Sequence, residues 1–236
     1  MGTRSERMRT ITNENMVARQ GRVGQLATFI GLLMVFGGLI ASFTQYRIMA
    51  VFLIALGVVM YTLGNRGQEQ TEREPRLIKG LAETLGEFDD RYQLYNHVLP
   101  ADHVLLTPHG VFVLVVRGMG GRIRCFKDKW VRDITLGRIL RFFTEESLGQ
   151  PSKEAQEDVE KLQKYLEEQA PDVKPEMQGL VVFTDPSARL EVTTACVPVL
   201  PLRRLKSHIR KASARMEMPA ETLAALTKLF GEAPRV

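Results

Sequence analysis

Two apolar stretches near the amino terminus constrain what this chain can fold into more than any other feature. Residues 23–43, VGQLATFIGLLMVFGGLIASF, hold no charged side chain, and about 20 such residues make a helix long enough to cross a bilayer. Residues 48–63, IMAVFLIALGVVMYTL, are equally apolar; they sit near the short limit and can be extended through Tyr46 and Gly64. Only residues 42–46 separate the two, so 23–64 reads as a two-span transmembrane hairpin. A cleaved signal peptide is not expected, because an equally apolar partner follows at once. Gly31, Gly37, Gly38 and Gly57 would let backbones approach closely, or are ordinary glycines of membrane helices. Apart from Arg47 at the boundary, no ionisable side chain lies within the spans, which argues against an ion or proton pathway between them.

Charge supplies an orientation. Five Arg precede the first span, Arg47 lies in the turn, and Arg66, Arg73, Arg76 and Lys79 follow the second. Basic residues are concentrated on the cytoplasmic side of membrane helices, so both ends should face the cytoplasm, giving a multi-pass protein of the inner membrane. Residues 1–22 read as a flexible polar segment on that side, and 65–76 as an exposed linker.

The remaining residues, 77–236, suffice for one soluble domain. The formal charge of +5 divides into +3 over residues 1–22, +1 at Arg47 and about +1 elsewhere. The soluble part therefore lacks the electrostatic excess of a dedicated nucleic-acid binder. Cys125 and Cys196 form no CxxC pattern and read as two buried thiols. His97, His103, His109 and His208 make no local metal motif, and no nucleophile accompanies them.

Within this part, Leu77, Ile78, Leu81 and Leu85 recur at helical spacing, with a stop at Gly86. Residues 92–99 alternate as a first strand. Two β-branched runs, 104–106 and 111–116, flank Pro108-His109-Gly110 and read as a hairpin. Because 111–116 is apolar at every position, it should be covered on both faces at the centre of a sheet. Gly118, Gly120 and Gly121 make a turn into a strand over 122–126, and Trp130 and Val131 return along the same sheet. Residues 136–143 are a short helix or strand carrying Arg138 and Arg141. Val159, Leu162 and Leu166 mark a strong amphipathic helix over 151–168, with Ser152 as a candidate cap. Strands follow at 180–183 and 190–193, an edge strand at 197–200, and two terminal helices separated near 216–219. The sum is an α/β or α+β domain around a central mixed sheet.

The order Asp102-His103, hydrophobic residues, Pro108, Gly110-Val111-Phe112-Val113, then Gly121-Arg122-Ile123 and Trp130 resembles the nuclease-related domain family (NERD), whose fold is similar to the restriction-endonuclease-like PD-(D/E)xK type. The resemblance covers most of 77–209. It implies a metal-dependent cleavage site made by a first Asp and an E-x-K on the next strand. Asp102 matches the first Asp, Val115 stands at the acidic position, and Arg117 stands at the lysine. Residues 148–151 resemble the family's Asn-Pro segment, with Gln150 for Asn, and Gln156 is a displaced match to a helical Gln. Glu83, Glu87, Asp89 and Asp90 are candidates for an upstream acid.

The replacements weaken the implied chemistry in two places. Mg²⁺ or Mn²⁺ needs oxygen ligands; Asp102 could supply one, and valine supplies none. Arg117 could hold a phosphate, yet its permanent charge makes it a poor proton acceptor. The expectation is a membrane-anchored, non-catalytic nuclease-related domain with a degenerate active site, serving as an accessory or association module for a membrane or cytoplasmic protein. The alternatives are a Mg²⁺- or Mn²⁺-dependent DNA or RNA nuclease with an atypical site, and a nucleic-acid binder in which Arg117, Arg122, Lys127 and Lys129 touch phosphates.

Overall fold

The computed structural model describes residues 8–43, 45, 47–133, 148–215 and 218–233. They form two compact units: residues 14–75, and a second unit of 8–13, 76–133 and 148 onward. The expected element at 136–143, with Arg138 and Arg141, lies outside the described residues.

The first unit is a helical pair. Helix α1 spans Glu14–Ser42 and α2 spans Arg47–Leu85, its last ten residues belonging to the second unit. Within them, Arg22–Ser42 and Arg47–Asn65 are long and apolar enough to cross a membrane. The pair meets through small residues. A β-carbon on Gly57 would lie 2.7 Å from the Gly31 carbonyl oxygen and 2.8 Å from the Val35 nitrogen, and one on Gly38 would lie 3.0 Å from the Ala50 carbonyl. Those approaches leave no room for a side chain. The polar stretch 65–76, expected to be an irregular linker, is helical despite Pro75. It is rich in Gln, Glu and Arg, good helix formers, and it continues a helix already nucleated on its amino-terminal side.

The second unit is built on a six-stranded mixed sheet. Its strands are β1 (Arg9–Thr12), β2 (Gln93–Asn96), β3 (His103–Leu106), β4 (Val111–Arg117), β7 (Met177–Phe183) and β9 (Val199–Pro201), in that spatial order. β2, β3 and β4 are antiparallel neighbours; β1 runs parallel to β2, and β7 parallel to β4 and β9. The presence of β1 corrects the expectation that residues 1–22 are unstructured. Four residues, RTIT, carry too little pattern to be read alone, and they are strand because the exposed edge of β2 pairs with them. The Thr107 hydroxyl closes the β3–β4 turn, donating to the Gly110 carbonyl at 2.8 Å and accepting the amides of His109 and Gly110.

Helices cover both faces of this sheet, as the uninterrupted apolar run of β4 requires. Phe112, Leu114 and Val116 face a cluster containing Leu81 and Leu85 of α2 with Leu205 and Ile209 of α4 (Leu202–Ser213). On the other face, Val111 and Val113 meet Leu162 and Leu166 of α3 (Pro151–Gln169) and Leu226 and Phe230 of α5 (Ala220–Glu232). Val115 joins a third cluster there, with Met119, Ile123, Ala155, Val181 and Phe183. Each fully buried Leu, Val or Phe contributes about 1.5–3 kcal/mol relative to exposure.

A second sheet of three strands holds β6 (Lys129–Arg132), β5 (Gly121–Phe126) and β8 (Ala188–Val192). Trp130 and Val131 thus return along β5, within a sheet separate from the central hairpin. Gly121 opens β5 at a φ of 91°, a conformation that glycine adopts readily. Ser152 is not a cap: it is buried and its hydroxyl accepts the Trp130 indole N–H at 3.1 Å. Of the two expected buried thiols, Cys125 is buried and Cys196 is exposed.

Candidate active site

Alternation along β4 decides what its carboxyl end presents. With Phe112, Leu114 and Val116 turned toward α2 and α4, the residues Val115 and Arg117 fall on the face covered by α3. α3 lies close because β7 carries Gly179 beneath it, where a β-carbon would stand 3.1 Å from the Ala155 carbonyl oxygen. Ala155 is fully buried in the same cluster as Val115.

The Val115 side chain is 5% exposed and its cluster neighbours are all apolar. Two positions on, the Arg117 side chain is 15% exposed and its guanidinium is ion-paired with the carboxylate of Glu154, in the first turn of α3. Arg117 also donates to the Val116 carbonyl at 3.3 Å. Glu154 uses its other oxygen to accept the Gln150 amide at 3.2 Å. Sequence reasoning missed Glu154; Gln156, read as a displaced match to the family's helical Gln, is exposed on α3. A signal was available: stepping back from Leu166 four residues at a time passes Leu162 and Asp158 and reaches Glu154.

Asp102 lies in the β2–β3 connection, just before β3. Its side chain is 72% exposed, with one carboxylate oxygen 3.3 Å from His97 Nδ1, while its carbonyl accepts the His97 amide at 2.7 Å. His103 Nδ1 stands 2.9 Å from Asn96 Oδ1, and the rings of His97 and His103 are 5.4 Å apart. Lys161 of α3 pairs with Asp158 at 2.7 Å, and its ammonium pKa is raised by that carboxylate first, with Asp102 a smaller contribution. α3 therefore brings two carboxylates, Glu154 and Asp158, to the side of the sheet that holds Val115.

Three of the four upstream acids are engaged elsewhere. Glu83 lies 3.9 Å from Lys79, Glu87 pairs with Lys206, and the pKa of Asp89 is lowered by its hydrogen bond with Arg91. They flank Leu85 and Phe88, which pack on the opposite face of the sheet from Val115. The donor set therefore does not fit the divalent cation that the resemblance implies. Asp102 offers oxygens to solvent, and the neighbouring strand offers an isopropyl group.

The other cationic candidates lie on or beside the second sheet. Arg122 pairs with Glu191 at 2.7 Å, which raises its already high pKa. Lys127 stands 5.4 Å from the centre of the Phe126 ring, and Lys129 is exposed. Arg122 and Lys129 share an outward face with Phe126 and Val131, 58% and 51% exposed, and Lys127 lies in the turn between β5 and β6.

Residues 76–184 match the family model of the nuclease-related domain. Comparison with curated proteins and with solved structures returned no match. The matched residues run from the end of α2 through β7, and contain Asp102, β4 and α3.

Proposed function

We propose that this protein is a membrane-anchored nuclease-related protein that does not cleave, and that its domain serves as an association or accessory module for a membrane or cytoplasmic protein. The observation that carries the reading is Val115: the acidic position of the family motif is occupied by an apolar side chain packed among Met119, Ile123, Ala155, Val181 and Phe183. A carboxylate is lost there and apolar packing takes its place. The ion pair of Arg117 with Glu154 supports the same reading, since a guanidinium held by a carboxylate is not offered to a phosphate. Exposed Phe126 and Val131 supply apolar surface of the kind a protein partner covers. We assign the sheet to the restriction-endonuclease-like class on the resemblance of its central hairpin.

Connectivity supports the membrane placement. β1 precedes the helical pair and β2 follows it, yet both belong to one sheet. A hairpin inserted between two strands of one sheet must leave and return on the same side of a bilayer, and the arginine-rich flanks make that side the cytoplasmic face of the inner membrane.

A second reading, a Mg²⁺- or Mn²⁺-dependent nuclease of DNA or RNA with an atypical site, draws support from Glu154 and Asp158 on α3. A third, binding of nucleic acid without cleavage, draws on exposed Lys127 and Lys129. The deciding experiment incubates the full chain in nanodiscs with labelled single- and double-stranded DNA and RNA, with Mg²⁺ or Mn²⁺, beside Asp102→Ala. No cleavage by either protein is expected. Cleavage that disappears in D102A would overturn the non-catalytic reading, and salt-sensitive binding without cleavage would favour the third.

A further inference from the structure

Helix α4 has a charge distribution that the nuclease-related reading does not use. Residues 202–215, LRRLKSHIRKASAR, contain six Lys or Arg and no Asp or Glu. At 100° per residue, Leu202, Leu205, Ile209, Ala212 and Ser213 share one side of this helix. That side is buried against the sheet and the end of α2. The cations fill the remaining arc. Lys206 pairs with Glu87, and Arg210 stands 5.6 Å from the centre of the Phe88 ring. Arg203, Arg204, Lys211 and Arg215 are exposed and make no ion pair among the described residues.

We propose that the solvent face of α4 is an electrostatic docking surface for the anionic headgroups of a phospholipid bilayer. This rests on the membrane-anchored reading above. Three observations select the bilayer. The apolar side of α4 is already consumed by Leu81, Leu85 and the sheet, so the helix meets headgroups and does not insert among acyl chains. The segment on which it packs, Arg76–Leu85, is the first part of the domain after the helical pair. Covalent linkage to an anchored hairpin raises the effective concentration of this face toward the lipid. Finally, the positive strip is one helix wide: Glu87 lies beside Lys206, and Glu176 lines the groove that also holds His208, Lys211 and Arg215. A flat, laterally mobile layer of anions adapts to such a strip, whereas a nucleic-acid duplex laid along it would meet both carboxylates.

The test uses the full chain with Cys196→Ser and Ser207→Cys, the latter carrying a fluorophore on the exposed arc. The protein is placed in bilayers of phosphatidylcholine alone or with added phosphatidylglycerol, each containing a headgroup-attached quencher, and flotation on the same lipids reports anchoring separately. Quenching should appear with phosphatidylglycerol, fade with added salt, and vanish when Arg203, Arg204, Lys211 and Arg215 are all changed to Gln. At about fivefold per cation near an anionic surface, the docked-to-undocked ratio should drop at least roughly a hundredfold. Flotation on both lipids with quenching indifferent to lipid charge overturns the docking face while leaving the anchor standing. Failure to float on neutral vesicles sinks the anchor; binding to phosphatidylglycerol vesicles that the four substitutions abolish would then still uphold the docking face, and its absence would overturn it. No response to lipid charge, with DNA or RNA binding lost in the fourfold variant, reassigns the face to nucleic acid.

Discussion

The helical pair and the sheet unit use the same apolar residues in opposite directions. In α1 and α2 the bulky side chains point outward, with Phe29 61%, Leu33 57% and Phe52 73% exposed, while Gly31, Gly38 and Gly57 make the contact between helices. In the sheet, Phe112, Val113 and Leu114 are buried, and glycine works at turns such as Gly121. Water drives the second arrangement and opposes the first. The difference shows that burial alone is a poor guide to which residues hold a region together: here the smallest residues do so in one unit and the largest in the other.

Four substitutions sharpen that contrast. Phe112→Ala should destabilise the sheet unit most, by about 3–5 kcal/mol, through lost transfer energy and a residual cavity. Chemical denaturation of the full chain in micelles, followed at Trp130, measures this. Leu33→Asp separates water from lipid as the cover of the helical pair. In lipid the change should cost about 3 kcal/mol of insertion free energy, whereas a water-covered position would tolerate it within about 0.5 kcal/mol; a glycosylation-mapped insertion assay reads the difference. Gly57→Leu places a side chain where backbone atoms stand 2.7 and 2.8 Å away. It should weaken helix pairing by about 1–3 kcal/mol, seen as lost cysteine cross-linking between the two helices with the Trp130 transition unchanged. Smallest is Glu154→Ala. Because the Glu154 side chain is 39% exposed, its pairing with Arg117 should be worth about 1 kcal/mol, and a double-mutant cycle with Arg117→Ala should recover a coupling of that size. No coupling would mean that the pair does not join α3 to β4.

Legibility in the sequence followed how much of each element's cause is local. The β3–β4 hairpin announced itself through β-branched runs around Pro108 and Gly110, and the strictly apolar run of β4 correctly implied cover on both faces. α3 was readable to within a residue, because Val159, Leu162 and Leu166 fix its phase. What escaped depended on partners far away in the chain. RTIT is strand only because β2 offers it an edge, and the helicity of 65–76 comes from the helix it continues. Two sheets were read as one because turn chemistry at Gly121 says that the chain reverses and says nothing about which neighbour it then finds. At the candidate site, the valine and the arginine were visible as types. That Glu154 would answer Arg117 required extending the α3 stripe backward past its last large apolar residue.

The parallel pairing of β1 with β2 has a consequence for the timing of synthesis. Arg9–Thr12 is made before both helices of the pair, and Gln93–Asn96 only after them. The first strand of the sheet therefore waits, without its partner, while the entire apolar hairpin leaves the ribosome. Sequence-distant pairing of this kind is formed late, so the edge of the sheet closes only once the fate of the hairpin has been settled. A chain whose hairpin stalled in the wrong place would leave β2 with an open edge, a defect that a quality-control protease can detect as an unpaired strand.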